Sequence, residues 1–143
     1  MDLKSPIYIC RSNLKEFESD IKFYVKRFKL DDKNMAAHQF KVLLYENKFA
    51  AFGRLRDNGD AIELCSLGVV EEYRGKKLGN AIVKELLSEI KQDIYLVTVI
   101  PAFFTKLGFR ETQEYPISLQ DKRDNFCEHH HPGNCISVLK YSK

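Results

Sequence analysis

Residues 69–81 read Val69-Val70-Glu71-Glu72-Tyr73-Arg74-Gly75-Lys76-Lys77-Leu78-Gly79-Asn80-Ala81. The stretch runs from the end of an apolar strand, through a short turn, into the start of a helix. The first backbone N–H groups of a helix have no internal acceptor, and the helix dipole makes that end electropositive. Gly75 and Gly79 let the backbone bend and approach phosphate oxygens. Positive charge comes from three side chains, Arg74, Lys76 and Lys77. The stretch therefore predicts a pyrophosphate-binding turn.

The segment from Leu67 to Gly79 resembles the acetyl-CoA-binding motif of the GCN5-related N-acetyltransferases (the GNAT family), which reads Arg/Gln-x-x-Gly-x-Gly/Ala. Arg74 and Gly79 match the two ends of the motif, whereas Lys77 stands where the middle glycine usually falls. A second stretch, 101–109, resembles the helix and Lys-Leu-Gly-Phe ending that follow the fifth strand in this family. The two signatures have the family's usual separation, so the resemblance covers nearly the whole chain.

Length and composition indicate one ordinary globular domain, 1–143. Of the 143 residues, 44% are hydrophobic and 30% are charged, and the net charge of +3 does not favour a dedicated nucleic-acid binder. No apolar run is long enough for a membrane span, and the amino terminus does not read as a secretory signal. Cys10 and Cys65 lie in strand-like segments, so we expect no disulfide framework and a reducing, cytoplasmic location.

Periodicity and turn signals predict a mixed α/β sheet. Strands are expected at 6–10, 39–46, 49–56, 61–70, 94–99, 109–117 and 136–141, and helices at 13–28, 76–91 and from Pro101 onward. Turns are predicted at Asn47-Lys48 and Asn58-Gly59, and 31–37 as a loop or short helix bordering a substrate pocket. The resemblance implies a GNAT-like, mostly antiparallel sheet that splays at two central parallel strands, with helices on both faces.

The resemblance also implies which residues hold acetyl-CoA as cosubstrate. The pantetheine arm would pair with the strand near 67–69, and the diphosphate would lie on the turn and helix start. The expected cofactor-binding residues are Leu67, Gly68, Val69, Arg74, Gly75, Lys76, Lys77, Leu78, Gly79 and Asn80. Gly68 has a second interpretation as a simple sheet irregularity.

Acetyl transfer to an amine needs a held thioester, a neutral amine and donors for the oxyanion that develops on the carbonyl. Backbone N–H groups near 67–69 are candidate donors. Glu63 is the candidate general base, and its alternative role is an ordinary strand-edge residue or ion-pair partner. Many relatives place a tyrosine acid where this chain has Phe104, so Tyr73, Tyr115 or water would have to protonate the thiolate, or it leaves unassisted.

The acceptor is predicted to be a small-molecule amine. Arg54 and Arg56 share one face of a strand, where they could hold the carboxylate of an amino acid in the acceptor cleft, or could form a solvated sheet face. Parts of the chain also look similar to small amino-acid N-acetyltransferases of the N-acetylglutamate synthase type. No nucleic-acid or membrane partner is expected, and a homodimer stays open.

The segment 122–135 combines two cysteines with three consecutive histidines. A zinc ion could take Cys127, His129 or His131, and Cys135, but the spacing matches no standard finger and a fourth ligand is not evident. We therefore expect no metal and a solvated loop, with zinc or a disulfide in an oxidising setting as alternatives.

Two further functions compete with small-molecule acetyl transfer. The same fold modifies protein amino termini and lysines, so a protein or peptide N-acetyltransferase is one alternative. A noncatalytic acyl-CoA-binding sensor is the other, and it is favoured by the departures at Lys77 and Phe104. A nucleotide-binding protein is disfavoured because the turn lacks the Gly-Lys-Ser/Thr ending that positions magnesium.

Overall fold

The computed structural model describes residues 7–12, 15–88, 90–127 and 136–142. Within these ranges the strands are β1 Ile9–Ser12, β2 Phe40–Tyr45, β3 Lys48–Asp57, β4 Ile62–Val69, β5 Ile94–Thr98, β6 Arg110–Glu111 and β7 Ser137–Tyr141. The α-helices are α1 Glu18–Arg27, α2 Leu78–Leu87, α3 Pro101–Thr105 and α4 Ile117–Asp121, and a π-helical turn, Lys122–Cys127, continues α4.

The strands form one mixed sheet in the order β1-β2-β3-β4-β5-β7-β6. Four described pairings are antiparallel, β1 with β2, β2 with β3, β5 with β7 and β6 with β7. β4 and β5 are parallel, and the described register of this pair comprises Ile62 with Ile94 and Glu63 with Tyr95. The predicted fold class, a mostly antiparallel sheet with one central parallel pair and helices, is confirmed.

The chain divides into two compact units. Unit 1 comprises residues 1–55 and 65–90, and unit 2 comprises residues 56–64 and 91–143. A single domain over 1–143 stays a prediction. In the described ranges, every helix is too short or too polar to cross a membrane.

In unit 1, α1 covers one face of β2 and β3. Acidic side chains occupy its first turn and basic ones its last, an order that complements the helix dipole. Ile21 and Val25, one turn apart, are buried against a cluster that includes Phe52 of β3. The sequence pattern of apolar residues therefore predicted the buried face of this helix correctly.

Helix α2 packs against the opposite face of β3. Phe52 and Gly53 are consecutive in the strand, so they point to opposite faces. A Cβ atom on Gly53 would lie 2.8 Å from Leu67 Cδ1 and 2.9 Å from Leu86 Cδ1, so α2 packs closely on the glycine backbone. Helices on both faces of the sheet are thus present within unit 1.

Helix α2 is shorter than the predicted 76–91. It begins at Leu78 because Lys77 has a left-handed backbone, with φ of 63°, which a helix cannot include. The β2–β3 turn also lies one residue earlier than predicted, at Glu46 and Asn47, whose φ angles are 50° and 64°. Two successive left-handed residues are typical of the tight hairpin turns that match strand twist.

In unit 2, the predicted strand 109–117 is mostly wrong. Only Arg110–Glu111 pair with β7. The Thr112 hydroxyl then accepts the Glu114 N–H at 3.1 Å, which turns the chain away from the sheet. Pro116 has no N–H for a ladder and instead precedes α4 as its N-cap.

Candidate active site

The predicted pyrophosphate turn lies entirely in unit 1. A 3-10 turn at Glu71–Tyr73 follows β4, and the backbone is then left-handed at Gly75, with φ of 85°, and at Lys77. A Cβ atom on Gly75 would meet no heavy atom within 4 Å, so glycine is needed for its conformation and not for space. Lys77 adopts a left-handed backbone at the position where the family motif usually has glycine, which explains that preference.

The start of α2 presents backbone donors. The first helical hydrogen bond runs from the Ala81 N–H to the Lys77 carbonyl at 3.1 Å, so the N–H groups of 78–80 precede the helical ladder. No side chain caps this end of the helix. An anion at this position would accept hydrogen bonds from these N–H groups and would be stabilised by the positive end of the helix dipole.

Two basic side chains of the turn have aromatic partners. The Arg74 guanidinium lies 4.9 Å from the Phe28 ring centroid, and its Nε donates to the Val69 carbonyl at 3.0 Å. The Lys76 ammonium lies 5.5 Å from the Tyr45 ring centroid. Both side chains are exposed, so a phosphate group competes with contacts that each contribute only about 0.5–1 kcal/mol.

An ion pair joins the turn to the end of α1. Arg27 Nε donates to Glu71 Oε2 at 2.7 Å. This hydrogen bond, followed by smaller contributions, lowers the pKa of Glu71 and raises the pKa of Arg27. Because both side chains are exposed, salt screens the pair and its contribution to stability is small.

Strand β4 is irregular at Ser66 and not at Gly68. Ser66 has φ of 54°, a left-handed conformation in the middle of a strand. Gly68 is required for another reason, since a Cβ atom there would lie 2.5 Å from Phe52 Cζ. Packing against an aromatic ring therefore explains Gly68, a cause that we did not predict.

Arg54 is fully buried, and both sequence interpretations of it, acceptor-cleft residue and solvated face, are wrong. Its guanidinium donates to Ser66 Oγ at 2.8 Å and to the carbonyl oxygens of Asp31 and Lys33 at 3.0 Å. It also donates to Gln39 Oε1 at 2.8 Å. These acceptors show that Arg54 holds the loop between α1 and β2 against β4.

Glu63 is also fully buried, in unit 2. Its Oε1 accepts hydrogen bonds from Arg56 Nη2 at 2.9 Å and from Asn58 Nδ2 at 2.8 Å, and its Oε2 accepts one from Lys122 Nζ. Arg56 is thus an ion-pair partner of Glu63 and not part of a solvated face. The same polar cluster continues to Ser118, which receives a hydrogen bond from Asn58 Nδ2 at 3.4 Å.

Asp60 extends this cluster at its exposed side. The Ser118 hydroxyl and backbone N–H donate to the Asp60 carboxylate at 2.6 and 3.0 Å. These two hydrogen bonds lower the pKa of Asp60. The turn that contains Asn58 and Gly59 is thereby held to the start of α4.

Phe104 lies in the core of unit 2. Its ring makes edge contacts with Phe103 at 4.9 Å and Phe109 at 5.8 Å between centroids. Tyr73, one of the alternative proton donors, is buried in unit 1 with its ring 5.7 Å from Tyr45. Tyr115, the other alternative, is half-buried in unit 2.

The candidate zinc ligands belong to the histidine-rich segment 122–135. His129, His131 and Cys135 lie outside the described residues, and so does the side chain of Cys127. The expected absence of a metal therefore stays a prediction.

The predicted cofactor residues lie on β4, the turn and the start of α2, all in unit 1, and their role in binding stays a prediction. Sequence reasoning missed Ser66, and it missed the contact between Lys122 and Glu63. No local pattern marks a left-handed serine, and a partner that lies 59 residues away in sequence leaves no periodic signal.

The chain matches the model of the "Acetyltransferase (GNAT) family" over residues 7–109, more than two thirds of its length. Among solved structures it is similar to N-acetylglutamate synthase from Neisseria gonorrhoeae in complex with coenzyme A and N-acetyl-glutamate, with a TM-score of 0.72 and 12% identity. The match covers 96% of this chain and 35% of the synthase, so the chain spans about a third of that protein.

Two other similar structures match over nearly their full length. One, from Mycobacterium tuberculosis, is in complex with CoA and NLQ, with a TM-score of 0.76, 20% identity and coverage of 94% of this chain and 99% of the other. The second is Arabidopsis thaliana Naa50 with the bisubstrate analogue CoA-Ac-MVNAL, with a TM-score of 0.65, 18% identity and coverage of 95% and 99%. These structural similarities support the fold alone. The family match over most of the chain shows that it belongs to the GNAT acetyltransferases.

Proposed function

We propose that this protein is an acetyl-CoA-dependent N-acetyltransferase that acts on the amine of a small molecule, with amino acids as the first class to test. The observation that carries the proposal is the turn before α2. Its two left-handed residues, Gly75 and Lys77, direct the chain so that an uncapped helix start follows at once. That is the arrangement a diphosphate needs.

The cofactor-binding role is proposed for ten residues of unit 1. The N–H groups of 78–80 would donate to diphosphate oxygens, and Gly75 and Lys77 would set the path of the turn. Arg74 and Lys76 would add positive charge beside the diphosphate, whether or not they keep their contacts with the Phe28 and Tyr45 rings. Leu67, Gly68 and Val69 of β4 would offer backbone groups to the pantetheine arm and the thioester.

Glu63 is proposed as the general base that takes the proton of the acceptor amine. It lies on β4, four residues before Leu67, and three donors surround its carboxylate. The competing role is charge balance for Arg56 and Lys122, two nearly buried cations. If Glu63 is the base, its replacement by glutamine lowers kcat while coenzyme A affinity is unchanged. If it balances charge, the same replacement lowers stability without a comparable loss of kcat.

Arg54 and Arg56 do not support an amino-acid acceptor, because their described contacts are within the protein. Support for an amino-acid acceptor comes from the structural similarity to a synthase solved with N-acetyl-glutamate. Peptide acetylation is the second candidate because Naa50, solved with a peptide-containing bisubstrate analogue, has a similar fold.

The test begins with calorimetric titration of coenzyme A and acetyl-CoA. Thiol release is then followed with amino acids, polyamines and short peptides as acceptors. Release with amino acids supports the proposal, release with peptides alone supports the second candidate, and tight binding without turnover on any acceptor supports a sensor. No heat of binding at millimolar coenzyme A refutes acetyl transfer altogether.

A further inference from the structure

Ser66 is the one left-handed residue inside the described part of β4. Serine is disfavoured in this conformation because its Cβ atom crowds the following carbonyl oxygen. A residue in such a conformation persists only when surrounding contacts enforce it, and such residues are frequent at active sites. The contacts that enforce it here are therefore informative.

Two buried groups fix Ser66. Its hydroxyl accepts a hydrogen bond from Arg54 Nε at 2.8 Å and donates one to the Asp31 carbonyl at 2.5 Å. Arg54 Nη2 donates to the same Asp31 carbonyl at 3.0 Å, so the contacts close a triangle. Arg54 is 0% exposed and Ser66 and Asp31 are each 5% exposed, so water does not compete for these bonds.

A left-handed residue changes the direction of the backbone that follows it. In a regular strand, N–H groups alternate between the two neighbouring strands, and one left-handed residue interrupts that alternation. The residue after Ser66 is Leu67, the first of the three whose N–H groups we assign to the thioester. The direction of the Leu67 N–H thus depends on the backbone conformation of Ser66.

We propose that Arg54 and Ser66 are positioning residues for acetyl transfer, which hold β4 so that the Leu67 N–H points at the thioester carbonyl. This inference rests on the proposed function. Through the Asp31 and Lys33 carbonyls, the same guanidinium also fixes the loop 28–39, so it links this loop to the donor strand.

The test compares two substitutions that remove the same hydroxyl. Ser66→Ala loses the hydrogen bonds and keeps the unfavourable backbone, whereas Ser66→Gly loses the same bonds but adopts the left-handed conformation freely. The control is Ser88→Ala, because the Ser88 hydroxyl donates only to a carbonyl near the exposed end of α2. Arg54→Lys keeps the buried charge without the planar donor fork.

The first readout is the infrared C=O stretch of bound acetyl-CoA labelled with ¹³C at the acetyl carbonyl. Hydrogen bonding from β4 lowers this frequency, and the readout does not require the acceptor to be known. We expect a lowered frequency in the unaltered protein, in Ser66→Gly and in Ser88→Ala. In Ser66→Ala and Arg54→Lys the frequency should return toward that of free acetyl-CoA.

The second readout is kcat with whichever acceptor the thiol-release assay identifies. A small misplacement of a donor is costly, so Ser66→Ala should lower kcat by about tenfold or more, with Ser66→Gly within about threefold of the unaltered protein. Coenzyme A affinity and thermal melting establish that the variants fold and bind. Equal losses in Ser66→Ala and Ser66→Gly, or no loss in either, would overturn the positioning role while leaving the proposed function intact. Absence of coenzyme A binding by the unaltered protein would instead refute the proposed function.

Discussion

Gly75→Ala is the sharpest test of the diphosphate turn. Gly75 has φ of 85°, and an added methyl group would meet no heavy atom within 4 Å. The substitution therefore creates no steric clash, and its whole effect is the cost of holding alanine in a left-handed conformation, about 1–2 kcal/mol. The flanking residues are exposed, so in the free protein the turn can relax locally and avoid this cost.

Binding would restore the cost, because the N–H groups of 78–80 reach a diphosphate only when the turn has its observed path. A cost of about 1–2 kcal/mol corresponds to a Kd for coenzyme A that is about 5- to 30-fold weaker. Gly75→Asn should fall between alanine and glycine, because asparagine visits the left-handed region more readily. Calorimetric titration with coenzyme A measures all three values.

Gly59→Ala is the matched control. Gly59 lies in the β3–β4 turn with φ of 88°, and an added methyl group there also meets nothing within 4 Å. The conformational cost is thus the same, but the site is outside the proposed diphosphate turn. Coenzyme A affinity should be unchanged in Gly59→Ala. Unchanged affinity in Gly75→Ala, or an equal loss in both variants, would refute the assignment of the turn.

Three further substitutions test other parts of the chain. Glu63→Gln removes the carboxylate that pairs with Arg56 and Lys122, so stability should fall by about 3–5 kcal/mol in chemical denaturation, and kcat should fall while coenzyme A affinity is unchanged. An unchanged kcat contradicts the base assignment. Tyr8→Phe removes a hydroxyl whose pKa is raised from 10.0 to about 12 by burial and by its hydrogen bond to Glu85. The raised pKa gives the native protein stability that is fully present below pH 10 and lost as the pH rises to about 12, so the stability gap between the two proteins should narrow over that range in urea titrations, and a constant gap counts against the contact. Phe104→Tyr places a hydroxyl among packed rings, so we expect a loss of about 1–3 kcal/mol in stability and no gain in rate, whereas a faster enzyme of equal stability would mean that the family's tyrosine acid can be restored.

Local chemistry made the turn before α2 predictable from sequence, and its binding of a cofactor stays a prediction. Two glycines, three cations and a change from strand to helix lie within 13 residues, and each acts on its immediate neighbours. The helix α1 was predictable for the same reason, since its buried face follows from the spacing of Ile21 and Val25. The position at which the sequence departs from the motif, Lys77, is also one of the left-handed residues of the turn.

Burial of charge was not predictable in the same way. Arg54 and Arg56 alternate along one strand, and the alternation says that they share a face but not what covers it. Distant segments bury the two side chains. The loop 28–39 packs on Arg54, whereas Glu63 and its partner Lys122 lie against Arg56. The prediction of a strand over 109–117 was wrong for a different reason. Thr112 and Pro116 end the hydrogen-bond ladder within a segment that has good strand propensity.

The corrected role of Arg54 changes how the acceptor should be sought. A carboxylate on the acceptor would be recognised by a cation of the protein, and a guanidinium on the acceptor by a carboxylate of the protein. Arg54 does not offer its cation in this way, because its described hydrogen bonds go to the loop and to Ser66. As a positioning residue, Arg54 would act on the thioester through the Leu67 N–H of β4, and not by direct contact with the acceptor. A loss of Arg54 should consequently lower the rate on every acceptor by a similar factor, whereas a residue that binds the acceptor would change the preference among them. Comparing kcat/KM for Arg54→Lys on two unlike amines separates the two cases, and a changed preference would return Arg54 to the acceptor site.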